Sequence, residues 1–129
     1  MAKIIIGEDC GNSPKKTFLK QFNISFAEND IAFIINNVSE DISWNIIGDK
    51  HIQGKKDFEE ALEQMKNYII KELTVSSIIT HGRKGAVNGL MKMEDGKNYS
   101  FCDIYEFSGA KGTCVKSMIS YVIEVEEQK

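Results

Sequence analysis

The sequence predicts an α+β fold in which helices pack on one face of a curled antiparallel sheet. Three observations carry that reading. Apolar residues recur at helical spacing through much of the first half, between Phe18 and Ile69. From Leu73 onward the period changes to two, and four candidate strands follow one another. The segments Gly82-Arg83-Lys84-Gly85, Asp95-Gly96 and Gly109-Ala110-Lys111-Gly112 separate them and are rich in turn-forming residues.

Each element follows in order. The opening Lys3-Ile4-Ile5-Ile6-Gly7-Glu8-Asp9-Cys10 lies within residues 1–12. It reads either as an added edge strand or as an arm laid on a partner subunit. Asn12-Ser13-Pro14 holds the only proline, so Ser13 is expected to cap a helix with Pro14 in its first turn. Phe18, Leu19, Phe22 and Phe26 mark one face of that helix, and Asn29-Asp30 closes it. A short second helix carries Ile31, Ile34, Ile35 and Val38. Asp41 to Ile47 reads as a strand, and His51 to Gln53 as a shorter one. A third helix is expected from about Lys55 to Lys71, with Phe58, Leu62, Met65 and Ile69 inward. The four later strands are Leu73–His81, Ala86–Glu94, Asn98–Phe107 and Thr113–Glu126.

Composition narrows the function classes. The 129 residues predict a single domain, 1–129, and 42% hydrophobic content suits a packed core. Sixteen basic against nineteen acidic residues give a net charge of −3, so nucleic acid is not an expected partner. No apolar run approaches a membrane span, and the apolar start is too short for a signal-peptide core. Three scattered cysteines fit a reducing compartment, and a cytoplasmic location is expected. No cofactor is expected. The two histidines lack metal-ligand spacing, so no metal is expected either. The glycines around Arg83 and Lys84 lack the ending of a phosphate loop and read as a hairpin turn.

Turn chemistry also predicts register. A two-residue turn at Asp95-Gly96 sets Leu90 opposite Phe101, Asn88 opposite Asp103 and Ala86 opposite Tyr105. A turn at Arg83-Lys84 sets Ile79 beside Asn88 and His81 beside Ala86. Looping through Gly109–Gly112 brings Met118 beside Asp103 and Ser120 beside Phe101. One sheet face is then His81, Asn88, Leu90, Phe101, Asp103, Tyr105, Met118 and Ser120. The other is Val87, Met91, Met93, Cys102, Ile104, Val115, Ile119 and Tyr121. Three helices cover one face, so a homodimer through the outer face is expected.

Four segments together resemble the nuclear transport factor 2-like superfamily, within it the SnoaL-like and ketosteroid-isomerase-like small proteins. They are Phe22-Asn23-Ile24-Ser25-Phe26-Ala27-Glu28-Asn29-Asp30, Ser39-Glu40-Asp41-Ile42-Ser43-Trp44, Ile52-Gln53-Gly54-Lys55-Lys56-Asp57-Phe58 and Tyr99-Ser100-Phe101-Cys102-Asp103-Ile104-Tyr105-Glu106-Phe107. The resemblance runs from about Ser13 to Val125 and implies a cone, a curved sheet wrapped around three helices with a ligand pocket in its mouth. It implies a small apolar molecule as partner. It also matches Asp103 to the oxyanion-stabilising acid of ketosteroid isomerases. Phe22 falls where that family has a tyrosine, and Ile46 falls near the position of its carboxylate base. Two of three isomerase roles are therefore missing.

Asp103 is the sharpest catalytic candidate: burial would hold its proton and let it act as a donor. The alternative is a structural aspartate bonded to Asn88 or to a helix. His81 reads as a general base or as a turn-flanking histidine, and His51 as a ligand contact or an exposed loop residue. Phe22, Trp44, Ile46, Asn88, Leu90, Phe101, Tyr105, Met118 and Ser120 complete the expected pocket lining, although Trp44 reads equally as core packing under the helices and Phe22 reads first as part of the helix core stripe. Cys10, Cys102 and Cys114 sit in no nucleophile motif. Three classes remain: an isomerase, cyclase or dehydratase using Asp103, a non-catalytic ligand-binding module, and a dimerisation or interaction domain.

Overall fold

A computed structural model describes residues 2–7 and 13–126; Cys10 and the Asn12 side of the expected helix start lie outside them. The elements are β1 (Lys3–Ile6), α1 (Pro14–Glu28), α2 (Ile31–Asn36), β2 (Val38–Ile46), β3 (Lys50–Gln53), α3 (Lys55–Met65), β4 (Ile70–His81), β5 (Lys84–Met93), β6 (Asn98–Phe107) and β7 (Val115–Val125). The strands form one curved, unclosed sheet in the order β1-β4-β5-β6-β7-β2-β3. Within the opening segment, Lys3–Ile6 is thus an edge strand, parallel to β4 with Ile4 opposite Leu73. The sheet is mixed where an antiparallel one was expected, since β1–β4 and β2–β7 run parallel. Neither pair is joined by a hairpin, so nothing forces those neighbours to reverse direction.

Helix ends follow local chemistry. Ser13 accepts a hydrogen bond from the Lys16 N–H, with Pro14 in the first turn. Asn29 ends α1 in the left-handed conformation at φ 58°, where an asparagine is tolerated. Val38 belongs to β2 rather than to the second helix. Asn37 stops α2 by donating its side-chain amide to the Phe33 carbonyl, and its own carbonyl accepts from the Val115 N–H. α3 ends at Met65, short of the expected Lys71, and Ile69 is exposed. Lys66, Asn67 and Tyr68 turn the chain back, with the Asn67 amide on the Gln64 carbonyl, so that it crosses from β3 to the distant β4.

The helices cover the inner sheet face. Phe22 and Phe58 are fully enclosed, and Phe18, Phe22, Phe26, Trp44 and Phe58 form a chain of ring contacts at 5.3, 5.3, 5.8 and 5.5 Å. Leu19 packs over Gly85, where an added Cβ would meet its methyl at 2.7 Å. Gly89 is held more strictly than Gly85, because a Cβ there would collide with the Thr74 backbone carbonyl and press on the Phe101 ring at 3.0 Å.

The expected register is wrong by one residue between β5 and β6. Gly89, not Leu90, faces Phe101, and Val87, not Asn88, faces Asp103. Asp95-Gly96 is part of a three-residue loop. Gly96 takes φ 95°, its N–H bonds the Met93 carbonyl, and Met93 pairs with Lys97 through its N–H. That extra residue is a bulge, and it turns every side chain of β5 to the other face. Asn88 and Leu90 therefore stand on the outer face, while Val87 and Met91 turn inward. The other two turns miss by two residues, which preserves the face. His81 pairs with Lys84 and Asp103 with Ser120.

Candidate functional site

Side chains on the inner face of β6, β7 and β2 come together around Asp103. Tyr105 is buried two residues along β6, Ser120 is the cross-strand partner of Asp103, and Trp44 lies one strand further. The donor and acceptor directions can be assigned from the geometry. Asn23 Nδ2 on α1 donates to the Leu19 carbonyl at 2.9 Å and to the Tyr105 hydroxyl at 3.1 Å. The Tyr105 hydroxyl donates in turn to Asp103 Oδ2 at 3.3 Å. On the other side, Trp44 Nε1 donates to Ser120 Oγ at 2.8 Å, and Ser120 is hydrogen-bonded to the Asp103 carboxyl.

This environment shifts proton affinities in a consistent way. Burial pushes the Asp103 carboxyl up to about 6, against the opposing pull of hydrogen bonds from Ser120 and Tyr105. Burial first, and then the Asp103 charge, hold the Tyr105 hydroxyl well above its ordinary range. The Cys102 thiol is pushed up by burial and then by the same charge, which makes it a poor nucleophile. Cys102 points to the opposite face.

Asp103 stands where helix cover ends. Tyr105, Met118 and Ser120 are buried, whereas Val122, opposite Phe101 on the same face, is 43% exposed. Asp103 and Ile46 are each partly exposed as residues, although burial of the Asp103 carboxyl itself is what raises its proton affinity. A surface depression of about 240 Å³ lies at the neighbouring ends of β4 and β5, beside Tyr68, Ile69 and Met93. A second, of about 360 Å³, lies on the outer face between Ile79, Asn88, Cys102 and Tyr121.

The expected pocket residues divide into two groups. Phe22, Trp44, Ile46, Phe101, Tyr105, Met118 and Ser120 share the inner face with Asp103; Phe22 is wholly enclosed among other rings. Asn88 and Leu90 are on the outer face, for the reason of register given above. His81 is also exposed there, at the hairpin end of β4. His51 is exposed beside β2, its Nε2 at 2.6 Å from Ser43 Oγ, and Asn45 is its cross-strand partner. Neither histidine meets Asp103. Asn23 and Val122 were not among the expected lining. Asn23 follows Phe22 on the helix, and its polar signal was legible within the apolar run. Val122 alternates with Ser120 and so shares its face in either register; the two-residue slip brings it opposite Phe101 instead of Tyr99. Among the described residues no group of His, Cys, Asp and Glu is arranged to hold a metal, and no helix is long and apolar enough to cross a membrane.

No protein-family model matches the sequence, and no curated protein matches it. Solved structures do. An NTF2-like protein of unknown function from Cytophaga hutchinsonii is similar over 84% of this chain and 99% of its own, at 26% identity and a TM-score of 0.66. A protein described as a ketosteroid isomerase, from Kribbella flavida, matches 88% of this chain and 80% of its own at 15% identity, TM-score 0.70. One described as a SnoaL-like polyketide cyclase, from Shewanella denitrificans, matches 86% and 92% at 8% identity, TM-score 0.73. The chain therefore has the NTF2-like α+β cone fold. Likeness at the two lower identities speaks for the fold alone.

Proposed function

We infer that the chain binds a small apolar ligand at the open end of the cone, with Asp103 as the polar anchor. The observation that carries this reading is a desolvated carboxyl placed where helix cover stops, between buried Tyr105 and Ser120 and exposed Val122. Trp44, Ile46 and Phe101 supply apolar walls. Binding is preferred to steroid-isomerase chemistry because Phe22 has no hydroxyl and Ile46 cannot take a proton. Proton transfer by Asp103 is the second reading, favoured by burial that pushes its carboxyl up to about 6, near enough to neutrality for general acid or base work. The outer face, with Ile79, Leu90, Ile104, Tyr121 and Ile123 exposed, supports a homodimer.

The test is a chemical-shift screen of small apolar ring compounds, read at Ile46, Asp103, Ser120 and Val122. Saturable shifts confined to those residues are expected. Shifts confined to the outer face, or none, would overturn the ligand site. Asp103→Asn should abolish any turnover that requires a proton and leave binding detectable. Sedimentation at micromolar concentration is expected to show a dimer; monomer alone would remove the pairing.

A further inference from the structure

The Asp103 network fixes which hydrogen-bonding sense remains for a ligand. The Leu19 carbonyl only accepts, so the Asn23 atom facing it is the amide nitrogen. That nitrogen also reaches the Tyr105 hydroxyl and can only donate to it. The Tyr105 oxygen thus accepts from Asn23, and its one proton is committed to Asp103 Oδ2. The same logic holds on the opposite flank. Trp44 Nε1 has a proton and no lone pair, so Ser120 Oγ accepts from it, and the serine proton is free for Asp103. Two N–H groups, one on α1 and one on β2, therefore orient two hydroxyls as donors onto one carboxyl. A carboxylate has about four lone-pair sites, and these hydroxyls occupy two of them.

We propose, on the reading that this mouth is a ligand site, that it takes an apolar molecule through a hydrogen-bond donor, a hydroxyl or an ammonium group. Both fixed neighbours donate to Asp103, so acceptor capacity is what the carboxyl has left to offer. A ketone oxygen brought to it would set acceptor against acceptor. This is the opposite sense from an acid that donates its proton to an oxyanion. The pKa of about 6 agrees, since at neutral pH most Asp103 carboxyls are ionised. The inner-face groups around it are Asn23 from α1, Trp44 and Ile46 from β2, Val87 from β5, Tyr105 on β6 and Ser120 on β7. None carries a charge at neutral pH. Cys102, on the opposite face, is the other titratable group coupled to Asp103, and burial holds it protonated.

The probes are 2-aminotetralin, 2-tetralol and 2-tetralone, which share one skeleton and differ in the group offered. Their affinities are measured by calorimetry, with chemical shifts at Val122 and Ser120 locating the site. Near pH 8 the amine and the alcohol should each bind about tenfold more tightly than the ketone. Near pH 4.5, with Asp103 protonated, that gap should close. Asp103→Asn should reverse the order near pH 8, because its amide oxygen would take the Tyr105 and Ser120 protons and its NH2 would face the ligand. If that variant does not fold, the pH comparison on the unaltered chain stands by itself. Equal binding of all three, or a ketone preference near pH 8, would overturn the donor rule and leave the ligand site intact. Failure of every probe to shift the mouth resonances would overturn both.

Discussion

The two faces of β6 and β7 are both largely apolar, yet they are used differently. Inward stand Phe101, Asp103, Tyr105, Met118 and Ser120; outward stand Cys102, Ile104, Ile119, Tyr121 and Ile123. Most of the inner side chains are buried, and their polar atoms are tied to one another. The outer face is left bare, with Ile79 and Ile123 both 66% exposed. Apolar content does not distinguish these faces. What separates them is polar bookkeeping: a buried tyrosine, serine and carboxylate hold together only where each has a partner.

The contrast is sharpest for core aromatics. Phe22→Ala removes a fully enclosed ring that touches Phe18, Phe26 and Tyr105. It should cost about 3–5 kcal/mol in a denaturant titration. A loss below about 1 kcal/mol would mean that the inner face is not packed as described.

A smaller effect comes from Asp103 itself. Its folded pKa of about 6 lies above the ordinary 3.8. At a pH below the ordinary value both states hold the proton and nothing is lost. As pH rises the unfolded chain releases its proton first, so stability falls through this interval and levels off above the folded pKa. The loss is about 3 kcal/mol, and Asp103→Asn should not show it. Parallel stability curves for the two proteins across this range would contradict the desolvated carboxyl.

The smallest effect belongs to the outer face. Ile79→Ala should change monomer stability by no more than about 0.5 kcal/mol, because a 66% exposed side chain loses little contact. Unfolding at dilutions where the chain is monomeric checks this. A cost comparable to that of Phe22→Ala would erase the distinction between the faces.

Much of this was legible in the sequence because the period changes from helix to strand at a definite place. Ser13-Pro14, Asn29 and the aromatic stripe of α1 act locally, and so they could be read locally. The faces of β5 could not. Whether Asp95-Gly96 makes a two-residue turn or closes a three-residue loop with a bulge depends on strand twist and on room for Phe101 over Gly89. That one residue moved Asn88 and Leu90 away from Asp103. Asn23 and Trp44 act on the carboxyl through intermediaries 82 and 76 residues distant in the chain. No local pattern encodes such pairings. Asp103 was identifiable through resemblance and strand position, and its partners required the fold.

The most direct test is an NMR titration of the Asp103 carboxyl, assigned by comparison with Asp103→Asn. A midpoint near 6 is predicted, as burial outweighs the two hydrogen bonds that favour ionisation. A midpoint at or below about 4 would mean a solvated or fully paired carboxylate and would contradict the proposal that Asp103 is a desolvated polar anchor.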